Sequence, residues 1–244
     1  MQLRGKVALV TGGGTRIGQA ITLALAGSGC HVFIHYGRSG AAARATRAKA
    51  AALGVETHLH KADLRDERAV LGIVPAAKKR FLRVHVLVNN AGIFPEKDSF
   101  TQVNSRLWDS LFAVNLKAPF LLSRGFAAQV PRRGQGKIVN VTDARVRRTG
   151  TEHFVYRLTK GGLWQMTEML ARELAPRITV NAVAPGAILP PPGKGVHYLV
   201  KIGQSRVPLK RHGSAEMVAE GVLHMLQQDF LTGVVLPVDG GEFL

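Results

Sequence analysis

The chain has 244 residues, 46% of them hydrophobic, and 33 Lys and Arg against 16 Asp and Glu give a formal net charge of +17. This length supports one large α/β domain with a sizeable core, and no Pro/Gly/Ser-rich linker or internal repeat divides residues 1–244, so a single domain is expected. No apolar stretch is long enough to span a bilayer, the first residues run into an apolar strand rather than a signal peptide, and the lone Cys30 excludes an internal disulfide, so a cytoplasmic setting is expected.

Strand-length apolar runs alternate with helical patterns. Lys6–Thr11 reads as a buried strand, followed by a glycine-rich turn and a helix over Gln19–Ala26. His31–Tyr36 is a second strand, Ala41–Leu53 an Ala-rich helix and Glu56–Leu64 a third strand. A helix starting at Asp66 should kink or end at Pro75. Val84–Asn89 is a fourth strand, and helices follow over Ser105–Asn115 and Ala118–Gln129. Lys137–Thr142 is a fifth strand, Val155–Leu174 a long helix and Ile178–Val183 a sixth strand. Ala187–Gly213, with Pro190, Pro191 and Pro192, reads as a long irregular connection before the helix Ala215–Gln227 and the strand Val234–Val238. The alternation predicts a Rossmann-type α/β fold, a doubly wound parallel sheet of about seven strands with helices on both faces. Ligands on such sheets bind at the carboxyl ends of the strands, near the switch in strand order.

Charge this positive attracts anions such as dinucleotide phosphates, carboxylates, an acidic carrier protein or nucleic acid. Its densest clusters, Lys78-Lys79-Arg80 and Arg145-Arg147-Arg148, carry no interleaved aromatic residues, so they read mainly as solvated surface. A non-catalytic nucleotide sensor or nucleic-acid binder is the reading from another functional class. Cys30, just before a strand, reads as a small core side chain.

The loop after the first strand, Thr11-Gly12-Gly13-Gly14-Thr15-Arg16-Ile17-Gly18, suits a pyrophosphate. Its glycines permit a tight turn and close backbone approach, and the helix behind offers free N–H groups and a positive dipole end. No Asp or Glu occurs from Met1 to Val55, where NAD-selective chains usually place an acid. The second strand instead ends His35-Tyr36-Gly37-Arg38-Ser39, with the Arg38 guanidinium and Ser39 hydroxyl suited to a 2′-phosphate. NADPH is therefore the expected cofactor. Asp63, with Leu64 after it, either accepts from the adenine amino group or simply forms a turn.

These residues, with Asn89-Asn90-Ala91-Gly92, Tyr156-Arg157-Leu158-Thr159-Lys160 and Pro185-Gly186, resemble the short-chain dehydrogenase/reductase superfamily over essentially the whole chain. The resemblance implies that Tyr156 donates a proton, that Lys160 lowers its pKa and holds the nicotinamide ribose, and that Asn115 supports a proton-relay water. It also implies that Asn89, Asn90, Ala91 and Gly92 shape the cofactor cleft, with Pro185 and Gly186 beside it. Tyr156 and Lys160 stand four apart on one helix face, and hydride addition to C=O or C=N needs a positioned acid.

Arg16 stands where the commonest motif has glycine, and Asp143, thirteen residues before Tyr156, stands where most members have serine. Both departures resemble the pteridine reductases and their bacterial dihydropterin-reductase relatives, and so does the segment from His35 to Ser39. That resemblance implies that Asp143 works with Tyr156 in proton delivery, that Arg16 lies beside substrate and cofactor phosphates, and that Phe94 stacks a pterin against the nicotinamide. Phe94 also fits as simple loop packing, and Arg157 as a solvated helix residue. The C-terminal Val238-Asp239-Gly240-Gly241-Glu242-Phe243-Leu244 fits the same relatives, whereas Gly92, Ile93, His85 and Arg157 depart from them. The leading expectation is an NADPH-dependent reductase of dihydropterins or dihydrofolate. The alternative is a carbonyl reductase such as a 3-oxoacyl-carrier-protein reductase, whose acidic carrier would suit the basic surface. A homotetramer is expected, paired through the helices 118–129 and 155–174 and the C-terminal segment; no metal and no membrane partner are expected.

Overall fold

The computed structural model describes residues 1–244 except Lys97, Pro192 and Phe243, so the readings of Pro192 and Phe243 lie outside the described residues. Seven strands form one parallel sheet: β1 (Val7–Val10), β2 (His31–Tyr36), β3 (Thr57–Lys61), β4 (Val86–Asn89), β5 (Gly136–Val141), β6 (Ile178–Pro185) and β7 (Val235–Val238). The order is β3-β2-β1-β4-β5-β6-β7. The direction of winding reverses at β1, which pairs with β2 on one side and β4 on the other. This is the Rossmann-type α/β fold that the alternating pattern predicts.

Both faces of the sheet are covered, which is why β1, β4 and β5 are buried throughout rather than on alternate residues. Ala8, Val10, Val32, Ile34, Val86 and Val88 pack on one side, with Ile21 and Leu25 of α1 (Arg16–Gly27) and Val218 and Val222 of α8 (Ala215–Gln227). Leu9, Phe33, Leu87 and Ile138 pack on the other. There they meet Val70 and Ile73 of α3 (Glu67–Phe81), Leu122 and Phe126 of α5 (Ala118–Gln129), and Ala171 of α6 (Phe154–Leu174). Helix α2 (Gly40–Ala51) lays the small residues Ala43, Thr46 and Ala50 inward.

Three expectations change. Helix α3 passes through Pro75 and ends only at Phe81. Pro75 lies on the exposed face, where water can satisfy the Leu71 carbonyl it frees, while Val74 and Ala77 anchor the buried face. The 187–213 connection contains a helix, α7 (Val196–Arg206), which buries Leu199 and Gly203 and packs Ile202 against Ala187 and Val207. Its apolar stripe is only this narrow, too weak to register as helical periodicity. Finally, α4 (Ser105–Phe112) is joined to α5 by a π-helical turn, Ala113–Lys117, that carries Asn115.

Two strand-associated histidines stand in for backbone acceptors. His85 Nδ1 accepts from Val7 N at 3.1 Å, and His35 Nδ1 accepts from Gly12 N at 3.3 Å while its Nε2 meets Ala62 O at 3.1 Å. An Nδ1 that accepts carries no proton, so each ring is neutral. Burial pushes both down from 6.5 to about 4. A depressed folded value means that the unfolded chain binds more protons at intermediate pH. The stabilisation is therefore complete above about pH 6.5 and is lost as pH falls toward 4. For buried His35 it amounts to as much as about 3 kcal/mol; half-buried His85 contributes less because water screens it. Melting temperature should fall from about pH 7 to about pH 4.5, and H35N with H85N should flatten that slope. An unchanged slope in the double variant would remove both histidines as the cause.

Candidate active site

A cleft of about 840 Å³ opens at the carboxyl ends of the strands, on the switch point at β1. Its base is the glycine turn after β1. A Cβ on Gly18 would stand 2.1 Å from the Gly12 carbonyl oxygen, and one on Gly14 would stand 2.8 Å from the Ala43 backbone, so neither position admits a side chain. Thr15 precedes α1 with no side-chain cap, leaving the first-turn N–H groups of Arg16, Ile17 and Gly18 for a ligand. Asn90 locks the turn from the next strand, its Nδ2 donating to Thr11 O at 2.8 Å and Gly12 O at 3.2 Å. Thr11 Oγ1 accepts from the N–H groups of Asn90 and Ala91, both at 3.0 Å. This uncapped helix start and Cβ-free cradle fit a dinucleotide pyrophosphate.

Arg16 takes a left-handed φ of 53°, the conformation for which glycine is the usual choice. Its Nη2 donates to Pro190 O at 2.8 Å, tying the phosphate turn to the connection after β6. Arg38 lies exposed on the cleft wall, just beyond β2. Ser39 does not line the cleft; it precedes α2 without a side-chain cap bond. Asp63 and Leu64 lie on the cleft wall, beyond the observed end of β3. The Asp63 carboxylate is already gripped by both Arg65 Nε and Nη2, which holds it down at about 2.

At the other end, Tyr156, Lys160, Asp143, Phe94, Gly92, Pro185 and Gly186 line the same cleft. Tyr156 Oη donates to Asp143 Oδ2 at 2.9 Å, and Asp143 Oδ1 accepts from Arg145 N at 2.8 Å. Burial, then the charge of Asp143 and the bond to it, hold the Tyr156 proton well above the usual range, while Arg145 pulls the other way. Lys160 Nζ donates to Val141 O at 2.8 Å, and burial pushes the amine down to about 8. Phe94 sits against His153, centroids 4.4 Å apart, and meets Tyr156 edge-on at 4.9 Å.

Two asparagines sit behind the cleft rather than on it. Asn115 is fully buried; its amide accepts from Ile93 N at 2.8 Å and donates to Ile93 O at 3.0 Å and Thr159 Oγ1 at 3.2 Å. Its side chain thus braces the loop after β4 against α6. Asn89 is buried in the sheet and bonds Asn140 and Ser123.

Several contributors were invisible to sequence reading. Buried Asp98 caps α6, accepting from Val155 N at 3.1 Å and Tyr156 N at 2.7 Å. Arg157 is not a solvated helix residue: its Nη1 donates to Arg145 O and Arg148 O at 2.6 and 2.7 Å, and its Nε to Glu152 O at 2.8 Å. It thereby staples the short 3-10 turn Ala144–Arg147 that follows Asp143. The basic cluster 145–148 is accordingly not simply solvated surface. Arg145 lines the cleft, Arg147 lies over Trp164 and Arg148 bonds Leu244 O. Nothing local marks these roles, because each partner is distant in sequence or is a backbone carbonyl.

The family described as "Enoyl-(Acyl carrier protein) reductase" matches residues 14–242. The 3-oxoacyl-[acyl-carrier-protein] reductase FabG of Aquifex aeolicus is 36% identical, over 100% of this chain and 99% of that protein. FolM alternative dihydrofolate reductase 1 from Brucella canis, solved with NADP, is 34% identical with a TM-score of 0.94, covering 99% of this chain and 95% of that one. A short chain dehydrogenase from Burkholderia cenocepacia, also solved with NADP, is 34% identical with a TM-score of 0.92, and each chain is covered completely. With this breadth of likeness, and with a cleft built to hold a dinucleotide, the chain belongs to the short-chain dehydrogenase/reductase family and is an NADPH-dependent oxidoreductase.

Proposed function

We propose that the protein is a pteridine reductase, reducing a ring C=N of a dihydropterin or dihydrofolate as a single-domain cytoplasmic enzyme. The observation that carries this reading is the 2.9 Å bond from Tyr156 Oη to Asp143 Oδ2 inside the cleft, with Phe94 against the same tyrosine. NADPH held in the cleft would supply a hydride, two electrons with one hydrogen, for the ring carbon. Tyr156 Oη delivers the proton to the adjoining ring nitrogen, so that C=N becomes an amine C–N bond. Burial and the Asp143 charge keep Tyr156 protonated at neutral pH, and Asp143 is the group through which the hydroxyl can be reloaded. The nearby Arg145 charge favours the tyrosinate left behind. Lys160, beside Gly92, would hold the nicotinamide ribose, and Phe94 would offer a ring face to the flat substrate.

The likeness to the Brucella FolM proteins supports this reading. The FabG relatives favour a second one, reduction of a 3-oxoacyl thioester on an acidic carrier, to which the net charge of +17 is suited. An ionised carboxylate cannot donate to a developing oxyanion as a serine hydroxyl can, so Asp143 weighs against it. NADPH oxidation by purified protein, followed with dihydropterins, dihydrofolate, quinones and acetoacetyl thioesters, separates the two. Turnover confined to the thioester would end the pterin reading.

Arg38, exposed on the cleft wall, is the residue proposed to meet the 2′-phosphate. R38A should raise the KM for NADPH about 10- to 100-fold, the scale of a charge-assisted hydrogen bond, and leave NADH nearly unchanged. Equal loss with both cofactors would place Arg38 elsewhere.

The assembly is proposed to be a homotetramer. An apolar groove between the π-turn, α5 and α6 is lined by Phe112, Leu116, Phe120, Met166 and Met169, and Phe120 and Met169 are exposed. Phe230 and Leu244 are also exposed, near the C-terminal strand and at the chain end. Light scattering should give a tetramer mass, and charged replacements F120E with M169E should halve it or reduce it to that of one chain. A wild-type monomer at micromolar concentration would contradict the assembly.

A further inference from the structure

Arginines at the cleft differ in how their guanidinium groups are satisfied. Arg16 bonds Pro190 O, Arg65 grips Asp63, and Arg38 is exposed to water. Arg145 is another matter. Its side chain is only 34% exposed, and it makes no hydrogen bond to any described residue. Its Nε is buried, and the nearest carboxylate oxygen, Asp143 Oδ1, stands 3.8 Å away, beyond hydrogen-bond length. A buried donor left unpaired is unfavourable and uncommon in a folded protein.

The position is not a loose one. Asp143 Oδ1 accepts from the Arg145 N–H, and Arg157 Nη1 holds the Arg145 carbonyl, so the turn is clamped from both sides. With Nε buried and about a third of the side chain open, the Nη groups, which bond no described residue, are the donors a ligand in the cleft can reach, and clamping the turn preorganises them for an acceptor. The surrounding charges narrow the choice. Asp143 and Glu242 both act on Arg145, and the Glu242 carboxylate is itself buried with Oε2 unpaired. With two carboxylates already beside it, the site suits a neutral acceptor oxygen better than a further anion.

We infer that Arg145 is a substrate-recognition residue that donates to an amide-type carbonyl oxygen lying next to the reducible C=N. On the pterin reading, on which this inference rests, that oxygen is the 4-oxo group of the ring. It adjoins the ring nitrogen that Tyr156 protonates, and Arg145 adjoins Asp143, the partner of Tyr156. A 4-amino ring presents donors at the same place and opposes the guanidinium N–H groups.

The test is a binding titration of the protein–NADP+ complex with a 4-oxo pteridine and its 4-amino counterpart, with no turnover required. Wild type should bind the 4-oxo ring at least about 10-fold more tightly. R145M, which keeps the chain length and removes every donor, should lose about 10- to 100-fold for the 4-oxo ring and little or nothing for the 4-amino ring. R145K, retaining charge without the planar fork, should fall between them. Unchanged NADP+ affinity in both variants reports that they are folded. Equal 4-oxo affinity in R145M and wild type would overturn the role of Arg145 while leaving the pterin reading intact. Wild type that binds neither ring would overturn the pterin reading and this inference with it.

Discussion

Replacing Tyr156 with phenylalanine should lower kcat by about 10²- to 10⁴-fold, the range a positioned general acid contributes. NADPH affinity should hardly change. The ring is 9% exposed and contacts Phe94 edge-on, and both properties survive in phenylalanine, so the cleft keeps its shape. What disappears is the Oη proton and its 2.9 Å bond to Asp143 Oδ2. That oxygen is left without its partner in a buried place, so stability should also drop by about 1–3 kcal/mol. Single-turnover kinetics, cofactor titration and a thermal melt read these three effects separately. A variant retaining most of its kcat would show that the proton comes from elsewhere.

D143S should have the second large effect, and its sign depends on the substrate. Asp143 serves both Tyr156 Oη and Arg145 N, one through each oxygen. Serine has a single oxygen and can serve only one of them well. Removing the carboxylate also removes two of the causes that raise Tyr156, its negative charge and its hydrogen bond. The tyrosine should therefore ionise at lower pH in the variant, visible as tyrosinate absorbance in a pH titration. Dihydropterin turnover should fall by about 10-fold or more, because the relay partner is gone. Ketone turnover should hold or rise, because a serine hydroxyl can donate to an oxyanion. Equal loss on both substrates would mean that Asp143 only supports the turn.

The cofactor half of the site was largely legible in the sequence. Strand alternation, the glycine turn and the absence of acids before Glu56 are local patterns, and local patterns suffice for a parallel sheet and a phosphate cradle. Tyr156 and Lys160 were legible for the same reason, since four residues on one helix share a face. Arg38 lines the cleft whereas Ser39, next to it in sequence, does not, because adjacent residues point their side chains in different directions.

The substrate half was decided by tertiary structure. Arg145 counted as one charge in a basic run until Arg157, Asp143 and Glu242 fixed its surroundings. Asp98 reached α6 from a loop 57 residues away, and His35 joined the turn after β1 to the loop after β3. Sequence by itself determined the sheet, its winding and the dinucleotide turn, because hydrophobic period and glycine backbone freedom act over a few residues. Only the folded chain decided which polar groups are satisfied and which remain free to meet a ligand. That is a property of burial and long-range hydrogen bonding, and neither is written in any short stretch of sequence.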